Sequence, residues 1–312
     1  MQTLHVTTDD DGMRLDRFCN KQLGVPVSAL QKAFRKGLIR LDGKKCEGNT
    51  RIATGQEIEV RMAFDAAPRP TKPKPLDARI IKDAQAMLLH KDANILVINK
   101  PAGLAVQGGS KLTNHLDAML PALQFDAAET PKLVHRLDKD TSGLMLLARS
   151  AKAARTLQKA FTEKTMEKTY LAIVHGVPVP HEGEIISRME KTGGRGHERV
   201  ESTEEGKFAH TLYEVHDFMA KTAALVAMQP VTGRTHQLRV HASEANWPII
   251  GDPKYGDRER DEALRVEGGL HLHAHTLLLP PMFGQGEQSF TAPLPKHMRA
   301  TMKRLGLHHE SR

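Results

Sequence analysis

Cysteines, aromatic rings and long apolar runs are all scarce in this chain of 312 residues. Its two cysteines, Cys19 and Cys46, cannot form a disulfide framework, and Cys19 falls on the apolar side of an expected helix as a small core filler. No apolar run approaches the roughly 20 residues that cross a bilayer. The start, Met1-Gln2-Thr3-Leu4-His5, has neither the basic nor the apolar region of a secretory signal, so a cytoplasmic location is expected. There is no C-x-x-C or H-E-x-x-H set for zinc, no G-x-G-x-x-G, P-loop or D-F-G, and no internal repeat. No metal, redox or nucleotide cofactor is expected. His271, His273 and His275 would share one strand face, but a metal site needs convergent partners from elsewhere.

What the chain does have is an uneven positive charge. Residues 1–76 carry 14 Lys and Arg against 9 Asp and Glu, while the remaining 236 carry 31 against 28. A basic segment joined to a nearly neutral body suggests a module for a polyanion. A hydrophobic content of 39% supports a real core, and the length allows two domains.

The basic segment reads as two short helices followed by small strands. Leu15, Phe18, Cys19 and Leu23 share one helical face. After Gly24 and Pro26, Ser28 is the expected N-cap of a second helix, Ala29 to Lys36, closed by Gly37. Its Lys32, Arg35 and Lys36 project outward. A strand over 38–41 turns at Asp42-Gly43 into Lys44-Lys45, and residues 54–60 end in an alternating strand. Residues 65–76 carry four prolines and no buried pattern, which reads as a semi-extended linker. The expected division is therefore 1–64, 65–76 and 77–312.

Beyond residue 77, buried strands are expected at 95–98, 171–174 and 223–228, and a helix capped by Ser150 with Ala151, Ala154, Leu157 and Phe161 facing the core. Residues 193–199 read as a flexible basic loop. Strands outnumber helices and lack βαβ alternation, so the fold class is α+β, with a mixed, largely antiparallel sheet and flanking helices. The segment His135-Arg136-Leu137-Asp138-Lys139-Asp140-Thr141-Ser142-Gly143 lies between two apolar runs, with Thr-Ser-Gly as its turn. A stiff strand–turn–strand frame that exposes one carboxylate is a common place to build a site. Beside Arg136 and Lys139, Asp138 should remain ionised.

That segment resembles the catalytic motif of the RluA/RluC/RluD family of pseudouridine synthases. Further stretches resemble the family's other motifs in the same order, over roughly residues 90–280: Asn99 to Leu104, Glu167 to Ala172, Thr232 to His241, and Gly251 to Gly256. The N-terminal segment resembles an S4 RNA-binding domain at Arg14, Asp16, Arg17, Phe18, Arg35, Lys36 and Gly37. The resemblance implies a small S4 domain ahead of a pseudouridine synthase catalytic domain. It also implies an isomerase of uridine in structured RNA, most of all large-subunit ribosomal RNA, with the RluC-like branch before the RluD-like one.

Residue by residue, the resemblance implies Asp138 as the catalytic carboxylate, nucleophile at ribose C1′ or base at C2′. Arg239 would be its ion-pair partner, on a helix capped by Thr235 and running to about Asn246, and a guanidinium fork would hold that carboxylate at two points. Tyr170 would stack on the extruded uracil. Arg136 would fill the gap the base leaves, Leu238 would form an apolar wall, and Lys100 and Lys168 would support the pocket or meet phosphate. RNA would meet Arg14, Arg17, Lys32, Arg35, Lys36, Lys44 and Lys45. A monomer without a metal or nucleotide cofactor suffices for this chemistry. Three other readings compete: a non-catalytic S4-type RNA-binding or ribosome-assembly factor, a base-releasing glycosidase, and a synthase acting on tRNA or another ribosomal site. A retaining glycosidase would need a second carboxylic acid near Asp138.

Overall fold

The structure is a computed structural model and describes residues 2–64, 76–108, 115–193 and 199–309. The chain divides into two compact units, Met1–Pro75 and Leu76–Arg312. The expected linker (bar Leu76) and most of the expected basic loop at 193–199 lie outside the described residues.

In the first unit the order is β1 (Gln2–His5), α1 (Leu15–Leu23), α2 (Val27–Arg35), β2 (Ile39–Leu41), β3 (Lys44–Lys45) and β4 (Glu57–Val60). Leu15, Phe18, Cys19, Leu30 and Phe34 pack with Ile39, Ile58 and Val60 in one core. Asp42 and Gly43 both take positive φ, +49° and +73°, as a two-residue hairpin turn demands. One expectation is corrected and one element is new. Helix α2 begins at Val27, directly after Pro26, so Ser28 lies inside the helix instead of capping it. Strand β1, which pairs with β4, was not foreseen, because four residues with one apolar side chain show no clear period.

The second unit runs α3 (Ala78–Ala86), β5 (Leu88–Lys91), β6 (Ile95–Lys100), α4 (Leu116–Met119), β7 (Lys132–Leu133), β8 (Ser142–Ala148) and α5 (Ala151–Glu163). It continues β9 (Glu167–His175), β10 (Glu182–Thr192), β11 (Arg199–Ser202), β12 (Lys207–Met219), β13 (Ala223–Pro230), α6 (Gln237–Glu244), α7 (Arg258–Ala263), β14 (Leu272–Leu279), β15 (Gln288–Thr291) and α8 (Lys296–Leu305). Among the described residues one 11-stranded sheet follows the order β11-β10-β12-β13-β9-β14-β8-β6-β5, with β15 on β14 and β7 on β8. The pairings are antiparallel except for β14 with β8. The α+β class and the mostly antiparallel sheet expected from the sequence are thus present.

Helix α6 covers one sheet face, packing Leu238, Ala242 and Trp247's neighbourhood onto Ala172, Val174, Val226 and Met228. Helix α8 covers the other face, with Met298, Met302 and Leu305 on Leu171, Ile173 and Leu225. Ser150 caps α5 as expected, accepting from the Ala153 amide at 3.1 Å. The buried stripe of α5 is Ala153, Ala154, Leu157 and Ala160, and Phe161 is only half-buried.

Ser142 and Gly143 are not turn residues but the start of β8. There Gly143 meets β14 in the parallel pairing, at φ +111°. A Cβ at this position would stand 2.2 Å from the Ala274 carbonyl oxygen. Only glycine combines that backbone angle with so close an approach.

Candidate active site

Strands β7 and β8 pair through Lys132–Ala148 and Leu133–Leu147, so residues 134–141 form a broad excursion between two anchored strands. Its near side is held by His135, whose Nε2 accepts from the Leu146 amide at 2.9 Å. Burial pushes this imidazole down to about 3, with Lys168 adding to the shift, so the ring is neutral and able to accept. The far side is held by Lys100. Its Nζ donates to the carbonyls of Pro101, Leu104 and Lys139 at 3.0, 2.9 and 3.0 Å. The Gly103 amide donates to the same Lys139 carbonyl at 2.9 Å. Lys100 is fully buried, so of the two roles expected of it, supporting the pocket or meeting phosphate or substrate, the second is corrected: it supports the loop from behind. Burial pushes its pKa down to about 8 against the opposing pull of Asp140 and Asp138.

Between these anchors Asp138 keeps a side chain about 20% exposed. Its Oδ2 lies 3.6 Å from Arg239 Nη1 and 3.9 Å from His236 Nε2. The sequence placed the whole Arg239 fork on Asp138, and here the structure differs. Arg239 Nε and Nη2 donate to Asp252 Oδ2 and Oδ1 at 2.7 and 2.6 Å, leaving only Nη1 toward Asp138. Asp252 is further held by the amides of Lys254 and Tyr255 at 2.8 and 3.0 Å. Burial works against charge on both partners. The hydrogen-bonded pair outweighs it, lowering Asp252 and raising Arg239, so both stay ionised.

The helix that carries Arg239 also starts differently. Helix α6 begins at Gln237, and Thr235 makes no cap; His236 holds the N-cap position at φ +56°, ψ 15°. Thr232 and Gln237 supply the missing anchor. Thr232 Oγ1 donates to Gln237 Oε1 at 2.7 Å, and Gln237 Nε2 donates to the His210 carbonyl and to Thr211 Oγ1, both at 2.9 Å. Leu238 and Ala242 face the core, with Ala245 partly buried beside them.

Asp138, Arg239, Tyr170, Arg136, Leu238 and Lys168 all line one cavity of about 690 Å³. Tyr170 projects from β9 on the α6 side of the sheet, and burial, reinforced by Asp138, pushes its phenol up, so it stays protonated. Arg136 is exposed on the lining. Lys168 Nζ lies 5.7 Å from the Phe161 ring centre, and Phe161 in turn packs on His135 at 4.7 Å. His236, Phe161 and Glu167 also line the cavity, and sequence reasoning named none of them as a site residue. Glu167, exposed, is a second carboxylate on the wall. The signal for His236 was its place within the arginine motif; nothing local marks Asp252 beyond its place in the following loop.

His271, just before β14, and His273 and His275 on it form no metal-holding group among the described residues. His271 bonds Thr301 Oγ1 at 2.8 Å, His273 bonds Ser142 Oγ at 2.8 Å, and His275 donates to the Ala292 carbonyl at 3.0 Å. In the first unit, Arg17, Lys32, Arg35, Lys36, Lys44 and Lys45 are exposed. Arg14 is half-buried and spends its guanidinium on Asp16, at 3.1 and 2.5 Å, yet with Arg35 and Lys45 it lines a second cavity of about 530 Å³.

A loop-borne carboxylate, a guanidinium, an imidazole and a tyrosine ring thus share the wall of one open cavity with room for a sizeable ligand. Comparison with known proteins gives the class. Residues 94–244 match the family described as RNA pseudouridylate synthase. Over 290 residues the chain is 37% identical to the ribosomal large subunit pseudouridine synthase C of Rickettsia bellii (strain RML369-C), covering 91% of this chain and 95% of that protein. Its namesake from Escherichia coli (strain K12) is 37% identical over 307 residues, 96% of this chain and 95% of that one. The solved structure of human RNA pseudouridylate synthase domain containing 4 matches with a TM-score of 0.63 at 33% identity, over 75% of this chain and 99% of that chain. The chain belongs to the pseudouridine synthase family, and within it is an RNA pseudouridine synthase, an isomerase.

Proposed function

We propose that this enzyme converts specific uridines of large-subunit ribosomal RNA to pseudouridine, with Asp138 as the catalytic carboxylate. The observation that carries the reading is the position of Asp138 Oδ2 between Arg239 and His236, on the wall of a cavity that Tyr170 also lines. The names of the relatives from Rickettsia bellii and Escherichia coli support the ribosomal target.

The reaction breaks the bond from C1′ to uracil N1, turns the base, and joins C1′ to C5. A proton leaves C5 and one is gained at N1, so electrons balance without an external reactant. Cleavage makes the ribose electron-poor, and an ionised carboxylate stabilises or captures it, at C1′ directly or by taking the C2′ proton. The guanidinium beside Asp138 sets a positive charge next to that carboxylate and aims it. A uridine lifted from its helix loses its stacking partners, and Tyr170 offers a ring in their place. Leu238 offers an apolar wall to the base, and Arg136 and Lys168 offer positive charge to the strand that was opened.

The first unit acts as an S4-like docking module, its exposed lysines and arginines meeting phosphates. Binding should therefore weaken steeply with salt. One chain supplies every proposed site residue, which supports a monomer. Among the described residues no helix is long and apolar enough to cross a membrane; the reading places the enzyme in the cytoplasm with its RNA.

The test is incubation with ribosomal RNA tritiated at uridine C5. Tritium released to water, with the RNA chain intact, is the expected outcome. Free uracil instead would mean a glycosidase, with Glu167 the candidate second carboxylate. Binding without either product would mean a non-catalytic factor.

A further inference from the structure

The hydrogen bonds around His236 determine which of its nitrogens carries the proton. Tyr255 Oη accepts from the Val200 amide at 3.0 Å and lies 2.8 Å from His236 Nδ1. Tyr255 is buried, and among the described residues its hydroxyl proton has no other acceptor in range. A buried donor left unpaired is costly, so the phenol donates to Nδ1. A neutral imidazole that accepts at Nδ1 carries its hydrogen on Nε2. Burial, opposed by Asp138, keeps the ring below its ordinary value, in line with a neutral form.

The second observation is where that hydrogen points. His236 Nε2 and Arg239 Nη1 approach the same oxygen of Asp138, Oδ2, at 3.9 and 3.6 Å. Among the described residues neither oxygen of Asp138 has a hydrogen-bond partner, and Oδ2 is the one that these two nitrogens approach most nearly. The third is the backbone. His236 holds a left-handed conformation at φ +56°, which a non-glycine residue adopts rarely and only when its surroundings enforce it. Here the Thr232–Gln237 bonds below and the Tyr255 hydroxyl beside it do so.

We propose that His236 is a positioning residue for catalysis: its Nε2–H, set by Tyr255, joins Arg239 in holding Oδ2 of Asp138 and leaves Oδ1 as the oxygen presented to the ribose. The proposal rests on the reading of Asp138 as the catalytic carboxylate. A carboxylate held at one oxygen cannot rotate freely to offer the other. Gaps of 3.6 and 3.9 Å are wider than hydrogen bonds and close when substrate enters, as catalytic contacts commonly tighten in the loaded site.

The test compares single-turnover rates and RNA affinities of the full-length protein with His236→Ala, His236→Gln, Tyr255→Phe and Asp138→Asn, on one ribosomal RNA transcript. His236→Ala should slow the chemical step by about tenfold to a hundredfold while RNA affinity stays within about threefold. His236→Gln, whose side-chain amide restores a donor near the Nε2 position, should recover most of that loss. Tyr255→Phe frees the tautomer and should slow the step by roughly threefold to tenfold at unchanged affinity. A wild-type rate in His236→Ala overturns the proposal. So does a glutamine variant as slow as alanine, since a merely structural histidine would not be rescued by a donor. If Asp138→Asn is inactive while His236→Ala is normal, only this inference falls. If Asp138→Asn is active, the reading of the site falls with it.

Discussion

Arg239 closes its fork on Asp252 at 2.6 and 2.7 Å and meets Asp138 with its one remaining nitrogen, at 3.6 Å. The two carboxylates divide the guanidinium between them. Asp252, almost wholly buried and tied by two backbone amides, neutralises and aims the cation. Asp138, partly open to the cavity, is left unpaired by any short bond. An aspartate clamped at two points would be a poorer partner for a ribose, because its lone pairs would already be committed. The arrangement gives Asp138 a nearby positive charge without consuming it.

Asp252→Asn should therefore damage more than its distance from Asp138 suggests. The buried guanidinium loses its counter-charge, and breaking such a pair typically costs about 3–5 kcal/mol. Urea unfolding should show a loss of that order, and the freed fork should swing toward Asp138, lowering turnover as well. A variant of normal stability and rate would mean that Asp252 is not what holds Arg239.

Asp138→Asn should abolish pseudouridine formation with little effect on folding. The side chain is partly exposed and makes no short hydrogen bond, so the stability change should stay within about 1 kcal/mol. RNA affinity, measured by filter binding, should remain within a few-fold. Retained tritium release would assign the chemistry to another carboxylate, with Glu167 next in line.

Tyr170→Ala should lower turnover far more than affinity if, as proposed, the ring stacks on one extruded base while many phosphates supply the binding. Tyr170→Phe keeps the stacking surface and should retain most of the rate. Equal losses of rate and affinity in the alanine variant would contradict stacking on the reacting base.

Gly143→Ala should prevent a normal fold of the second unit. The methyl group would sit 2.2 Å from the Ala274 carbonyl at a backbone angle of +111°. Relief requires the strands to part, at a cost of several kcal/mol on the scale of severe core changes, roughly 4 or more. Soluble yield and melting temperature report it directly.

Acid should destabilise the second unit through its buried histidines. Burial pushes His271, His273 and His275 down to about 4 from their ordinary value of 6.5. Between these values the unfolded chain binds protons that the folded one refuses, so stability is intact above pH 6.5 and falls as the pH drops toward 4. Each ring contributes on the order of 1 kcal/mol per pH unit in that window. The melting temperature should decline from pH 7 to pH 5, less steeply in His275→Gln; a flat profile would argue that these rings are not buried neutral.

Much of this was legible in the sequence, for reasons that differ by residue. Asp138, Tyr170 and Arg239 come from three motifs whose strings are long enough to be read directly, and all three line one cavity. The strands at 95–98, 171–174 and 223–228 are continuous apolar runs, and the α5 cap follows from Ser150 before an apolar period. What escaped was set by tertiary contact. The Asp252 pairing joins residues 13 apart through a loop of no fixed period. The burial of Lys100 was hidden because lysine is ordinarily an exposed residue, and here three carbonyls from two segments enclose it. The start of α6 was misplaced by one turn's logic. Thr235 has the chemistry of a cap, but the Thr232–Gln237 bond had already claimed that end of the helix.

The parallel contact between β8 and β14 spans only two residue pairs, Ser142 with His273 and Gly143 with Ala274. It is also where the sheet's two halves are joined, and Asp138 hangs from one half while Tyr170 and Arg239 belong to the other. The spacing between acid and ring is therefore inherited from a seam a few ångströms long. Slippage there would misalign the groups proposed to react without unfolding either half, so inactive but well-folded variants should cluster along this join.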